Sequence, residues 1–353
     1  MHSARCRTLL LACAAACCSA ADFQPGFEAD FQADVQADDA AQVSRIRDHM
    51  RQYVAHLPDY TSRITLERFR RTRSRALFEL NDRLRLEVAY TGGQELYSWP
   101  GDARFESGIE DLLPGHGMVS NGSYALHVKS LFVREVAQFG PPKEETCDQA
   151  ACVRLDFEIP AVRSGYALST GIGSAPVPLA GSAWFDAATL DIVRLEVRVD
   201  DPPRTVRVAA TRETTVYRRA RIGDVEFVVP GTSELMLRDR DGSEMMNRSS
   251  FDQYHRYAGT ATVFYGAGDT VAAPVRREGA STAVTAPATL DEEIGEDAAI
   301  GDTFTVTTGD GEKVTGRISD MRRAGKAWLV ELKLPGGFRR GTRLPVKAGT
   351  RIK

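Results

Sequence analysis

The sequence predicts a mainly β fold: a large curved antiparallel sheet shaped as a half-open barrel, an N-terminal amphipathic helix, and a small C-terminal all-β module. Three observations carry that reading. Apolar and charged residues alternate in RLRLEVAY, VRLDFEI and VRLEVRV, the period-two signature of strands with one dry and one wet face. About ten such segments follow one another with hardly an intervening helix, which is the pattern of an antiparallel meander. One stretch only, residues 42–57, has helical spacing.

The elements follow in order. Residues 1–21, MHSARCRTLLLACAAACCSAA, place Arg5 and Arg7 before an apolar run from Thr8 to Cys18 and end on the small residues Ser19, Ala20 and Ala21. That is the layout of a secretory signal, and Asp22 arrives too early for a membrane span of about 20 apolar residues. Export to the periplasm or cell envelope is therefore expected. Leu10-Leu11-Ala12-Cys13 leaves an outer-membrane lipid anchor as the alternative. Residues 22–41 hold six acids and no base and read as a disordered acidic leader.

In VSRIRDHMRQYVAHL, Val43, Ile46, Met50, Tyr53 and Leu57 fall on one helical face, and Pro58 stops the helix. Strands are then expected through residue 266, at SRITLERF, ELYSW, ALHVKSLFV, TVRVAAT, ETTVYRRARI, VEFVV, SELMLR, FDQYHRY and TATVFY as well as at the three alternating runs. Turns are expected at Gly92-Gly93, Gly223-Asp224, Pro230-Gly231 and Asp241-Gly242. Residues 267–289 are rich in Ala, Thr, Pro and Gly and read as a linker. Residues 290–353 form the small all-β module.

Four of the six cysteines lie in the signal segment, which leaves Cys147 and Cys152 to close a short disulfide loop in an oxidising compartment. Zinc would need four ligands, and no histidine lies close to either cysteine; no metal or cofactor is expected. With 45 basic and 48 acidic residues in 353, the net charge is −3 and leaves no footprint for nucleic acid. The loop Leu112–Val128 supplies His116, Ser120 and Ser123 beside Asp111, the residue types of a hydrolase. It has no G-x-S-x-G elbow, and it places every member of the triad in one loop. A glycine-rich crossover, able to act as a flap, is the plainer reading.

A helix of residues 42–57 is about 24 Å long, whereas ten strands side by side span about 48 Å. One helix, with a turn or two around Phe105 to Leu112, cannot cover such a sheet. It must curl around its contents or leave an apolar groove. Candidate lining residues are Trp99, Trp184, Phe185, Phe157 and Leu195, each of which could equally be ordinary core.

The N-terminal helix, LPDYTSRITLERF, RLRLEVAYTGGQELYSWPG and GSAWFDAATLDIVRLEVRV together resemble the unclosed-barrel superfamily of periplasmic lipoprotein carriers and sorting factors, the LolA-like proteins. They are also similar to secreted bacterial proteins carrying LP-x-Y-T and W-x-D-x-x-T-x-x-x-x-R-L-E-V strings. The likeness covers about residues 42–265. It implies a half-open barrel that holds a lipid, a lipoprotein's acyl chains or a hydrophobic peptide, with no catalytic residues. The alternative is an envelope scaffold or adhesion protein that binds other proteins by its surface.

Overall fold

A computed structural model of the chain describes residues 25–102, Phe105, Ile109, Leu112, 126–170 and 173–257. Of the C-terminal part it describes 289–291, 294–295, 297–307, 311–324, 327–333 and 343–346. Residues 1–24, most of the 103–125 loop with His116, Ser120 and Ser123, Gly171 and Ile172, the strand expected at TATVFY and residues 267–288 of the linker lie outside these.

Helix α1 runs Pro25–His56. It therefore begins well before residue 42, and residues 25–41 of the segment read as a disordered leader are helical. That stretch, PGFEADFQADVQADDAA, holds five alanines, the best helix formers, and opens on Pro25, tolerated in a first helical turn. Ile46 and Met50 are fully buried, and Tyr53 and Leu57 continue the same stripe, as the spacing requires.

Strands β1 (Tyr60–Arg71), β2 (Glu79–Thr91), β3 (Gln94–Ser98), β4 (Gln138–Phe139), β5 (Lys143–Cys147) and β6 (Ala150–Ile159) precede a small hairpin, β7 (Ala167–Thr170) and β8 (Gly173–Pro176). Then come β9 (Leu179–Asp186), β10 (Ile192–Asp200), β11 (Val208–Ile222), β12 (Val225–Asp239) and β13 (Glu244–Arg256). All but the small hairpin join one antiparallel sheet of eleven strands in the order β3-β2-β1-β13-β12-β11-β10-β9-β6-β4, with β5 also on β6. The sheet does not close into a barrel, and it is not a plain meander. After β3, at one edge, the chain crosses to β4, at the other. Residues 99–137 must therefore travel the full width of the sheet.

Three expectations need correction. ALHVKSLFV is not a strand: Leu126–Val128 is a helical turn running into a π-helical turn, Lys129–Val133. Val128, Leu131 and Phe132 are buried, at intervals of three and four that belong to a helix. Pro230-Gly231 is not a turn. VEFVV and SELMLR are one strand, in which Gly231 is the extra residue of a β-bulge opposite Val216 and Tyr217, a place where proline is tolerated within a sheet. TVRVAAT and ETTVYRRARI likewise merge into β11.

The Cys147–Cys152 disulfide is formed. It ties β5 to β6 around Asp148 and Gln149, both at positive φ, as a tight two-residue hairpin demands. Because the loop is short, replacing both cysteines with serine is expected to cost only about 2 kcal/mol. Hydrogen exchange should show the loosening confined to β5 and the start of β6, with β9–β12 unchanged.

The C-terminal strands β14 (Thr289–Leu290), β15 (Thr303–Thr307), β16 (Lys313–Ala324), β17 (Ala327–Lys333) and β18 (Arg343–Val346) form a second antiparallel sheet in sequence order. Its core is continuous with that of the large sheet: Ile300, Val306, Ile318 and Val330 belong to one cluster with Leu66, Leu84 and Leu86. Arg85 N–H donates to the Ile300 carbonyl and Ile300 N–H to the Arg83 carbonyl, each at 2.8 Å, so the module covers the part of β2 that β3 is too short to reach. Arg85 also binds both oxygens of Asp302 at 2.6 Å. Gly301 has φ +104, and a Cβ there would run into the Arg85 carbonyl and the Trp99 ring. Only glycine fits this joint.

Candidate functional site: the inner face of the sheet

Alternation along each strand gives the large sheet an inner face, toward α1, and an outer face in water. The inner face holds two apolar clusters. One gathers on β1–β3 and the C-terminal sheet around Leu66, Leu84, Leu86 and Tyr97. The other gathers on β6, β9 and β10 around Leu155, Phe157, Phe185 and Leu195. Of the five lining residues expected from sequence, Phe157, Phe185 and Leu195 meet in the second cluster. Trp99 packs half-buried on the first. Trp184 is on the other face, because its register partners are Arg154 and Arg194 and its neighbour Phe185 takes the inner position. Its ring carries the Arg194 guanidinium at 3.6 Å and that of Arg154 at 5.4 Å, and Nε1 donates to Glu145 at 2.7 Å. That hydrogen bond, ahead of the Arg154 guanidinium, holds the Glu145 carboxyl below its ordinary value. Partial burial acts the other way on nearby Asp156, but hydrogen bonds from Lys143, Ser182 and Arg154 bring it to about 2. Trp184 is thus a clamp for outer-face charges.

Three pieces besides α1 shelter the inner face. The hairpin β7–β8 contributes Leu168 and Ala175, and the C-terminal sheet contributes the residues named above. The crossing segment contributes Ile109 and Leu112 to the first cluster and Val128, Leu131 and Phe132 to the second. Phe132 stacks on Phe139 at 5.3 Å and meets Phe185 edge-on at 5.7 Å. The chain leaves this cap through Glu135, at φ 55, and the Glu135 carboxylate pairs with Arg51 of α1. The expected open groove is therefore not seen among the described residues, since Phe157, Phe185 and Leu195 are all buried. The sequence estimate counted one helix and a turn or two around Phe105 to Leu112 as cover; Ile109 and Leu112 do lie on the first cluster, and what it missed is the 126–133 cap, the β7–β8 hairpin and the C-terminal sheet.

Between the two clusters, the inner face of β11–β13 is polar. One transverse rank runs Arg68, Asn247, Leu235, Glu213, and the next runs Ser249, Ser233, Thr215. Ser233 Oγ donates to Glu213 Oε1 at 3.0 Å. His127, on the cap, brings Nε2 to 3.5 Å from Glu213 Oε2 and 3.3 Å from the Tyr166 hydroxyl, and its ring stacks on that of Tyr166. None of these residues was expected from sequence to line the inner face. The signal was there: ETTVYRR and SELMLR place polar residues on both faces, whereas RLRLEVAY keeps one face dry.

An open cavity of about 630 Å³ lies on the outer face, lined by Thr65, Glu67, Thr214, Val216, Thr232, Glu234, Arg248 and Ser250 along with Ser233 and Ser249. Among the described residues no three metal-ligating side chains converge, and no helix is long and apolar enough to cross a membrane. His49 bonds Asp191 at 3.2 Å and His56 bonds the Gln52 carbonyl at 2.7 Å, so the two helix histidines turn to different partners.

No protein-family model and no curated protein matches the chain. Among solved structures its fold is similar to a LolA superfamily protein from Nitrosomonas europaea, at 10% identity over 60% of this chain and 91% of that one, TM-score 0.27. It is also similar to a DUF1329 family protein from Desulfovibrio piger, at 13% identity over 62% and 95%, TM-score 0.29. Superpositions this loose carry no functional argument, and the unclosed sheet stands on its own strand order.

Proposed function

We propose that this is an exported, non-enzymatic envelope protein that holds a lipid, a lipoprotein's acyl chains or a hydrophobic segment against the inner face of its sheet. One observation carries the reading. An eleven-stranded sheet left open at both edges is covered over its second cluster by short separate pieces, namely α1, the β7–β8 hairpin and a two-turn cap on the long crossing connection, and not by a second large sheet. Leu131 and Phe132 fill the place a ligand's hydrocarbon would take. The π-helical turn that presents them and the left-handed exit at Glu135 are local departures of the kind that gather where segments move or bind. The signal-like layout of residues 1–21 and the disulfide support export.

A second reading, a scaffold that binds envelope proteins by its surface, draws on the outer-face cavity. Native mass spectrometry of the purified mature protein, before and after organic extraction, decides between them. Extractable lipid and saturable 1:1 binding of a fluorescent acyl probe to the stripped protein are expected. Protein free of lipid from several expression hosts, together with no saturable binding of the probe, overturns carriage and leaves the surface reading.

A further inference from the structure

The centre of the inner face is equipped for hydrogen bonding, and that constrains the polar end of whatever it carries. Glu213, Thr215 and Tyr217 alternate along β11, faced by Ser233 on β12 and Asn247 on β13, and all five are more than nine-tenths buried. The neighbouring phenols are satisfied: Tyr53 donates to the Val228 carbonyl at 2.5 Å and Tyr254 to the Pro230 carbonyl at 2.6 Å. The Tyr217 hydroxyl, in contrast, has no hydrogen-bond partner among the described residues. Buried hydroxyls are rarely left so in native proteins. Burial first, then Tyr53 and the carboxylates Glu213 and Glu95, push its ionisation well above the ordinary phenol range, so Tyr217 is a neutral donor and acceptor in a field set by acids. Of the guanidiniums around this belt, Arg68 gives Nε and Nη2 to the two oxygens of Asp82, which balances its charge while Nη1 stays without a partner among the described residues, and Arg218 donates to the Phe251 carbonyl.

We infer that the carried molecule ends in an uncharged hydroxyl-bearing group, as in a monoacylglycerol, received by the Tyr217 hydroxyl beside Glu213 and Ser233, and that carboxylate-headed chains are disfavoured. The inference rests on the carriage reading and adds the class of ligand. A hydroxyl both donates and accepts, so it can answer a phenol oxygen and a carboxylate at once. An anionic head would face Glu213 and Glu95 at close quarters, where like charges are costly.

The test uses the stripped full-length protein at pH 8, titrated with monomyristoylglycerol and with myristate, two probes of one chain length. The monoacylglycerol is expected to bind about tenfold tighter or more, as one hydrogen bond and a removed repulsion allow. Tyr217→Phe should weaken the monoacylglycerol about five- to tenfold, leave myristate unchanged, and hold or raise the thermal midpoint, since it deletes an unpaired hydroxyl. Glu213→Gln, of the same shape, should strengthen myristate. Equal binding of the two probes, or a Tyr217→Phe protein with wild-type preference, overturns the head-group inference and leaves carriage intact. Binding of neither probe overturns both.

Discussion

Asp82→Ala is expected to cost the fold about 3–5 kcal/mol, the usual penalty for stranding one member of a buried ion pair. Arg68 and Asp82 are each less than a tenth exposed as side chains. Arg68 Nε donates to Asp82 Oδ1 and Nη2 to Oδ2, both at 2.6 Å, and Asn81 Nδ2 adds a third donor to Oδ2 at 2.7 Å. Alanine removes every one of those acceptors and leaves the guanidinium on the dry side of β1. The pair falls where the β1–β2 register shifts, between Arg68 and Phe69, so its role is to fix that register more than to add stability. Replacing both partners, Arg68→Met with Asp82→Leu, should therefore be near neutral or even stabilising by about 1–4 kcal/mol. Urea unfolding of both singles and the double closes the cycle. A single Asp82→Ala within 1 kcal/mol of the parent would show that water or another acceptor reaches Arg68.

What the sequence made legible was what period and spacing encode. RLRLEVAY became β2 with Leu84, Leu86 and Val88 fully buried, and the stripe Ile46, Met50, Tyr53, Leu57 became the packed face of α1. The two cysteines outside the N-terminal apolar segment became a disulfide. Topology was illegible, because nothing in β3 or β4 records that they occupy opposite edges; without that, the crossing segment could not be counted as cover. Trp184 shows a different limit. Its hydrophobicity argues for the inner face, but the one-residue offset from Phe185 decides the matter, and a cage of Arg154, Arg194 and Glu145 makes burial on the charged face favourable. The polar belt escaped notice for a related reason: serines, threonines and a glutamate in a strand read as a wet face until the register shows both faces occupied. Departures from dry-face patterning of this kind collect at functional sites, and that is why the belt, more than the aromatic residues, marks the candidate site.

Phe132→Ala separates a cap from a core. As a fully buried ring between Phe139 and Phe185, Phe132 should cost about 3–5 kcal/mol when truncated, by lost transfer energy and the cavity left behind. The same magnitude is expected for Phe185→Ala on β9, since both rings are buried to the same degree. Ligand binding tells them apart. If Phe132 occupies the ligand's place, its removal lowers the work of admitting an acyl chain, so the stripped variant should bind the acyl probe more tightly, by about tenfold. Saturating ligand at a hundred times Kd should then return about 2.7 kcal/mol of the loss. Phe185 belongs to the wall, and its truncation should lower stability without improving affinity. Thermal midpoints of both variants, with and without ligand, give the comparison directly. Equal losses with no gain in binding for Phe132→Ala would make the cap a permanent part of the core, and the inner face would then have no route for a guest.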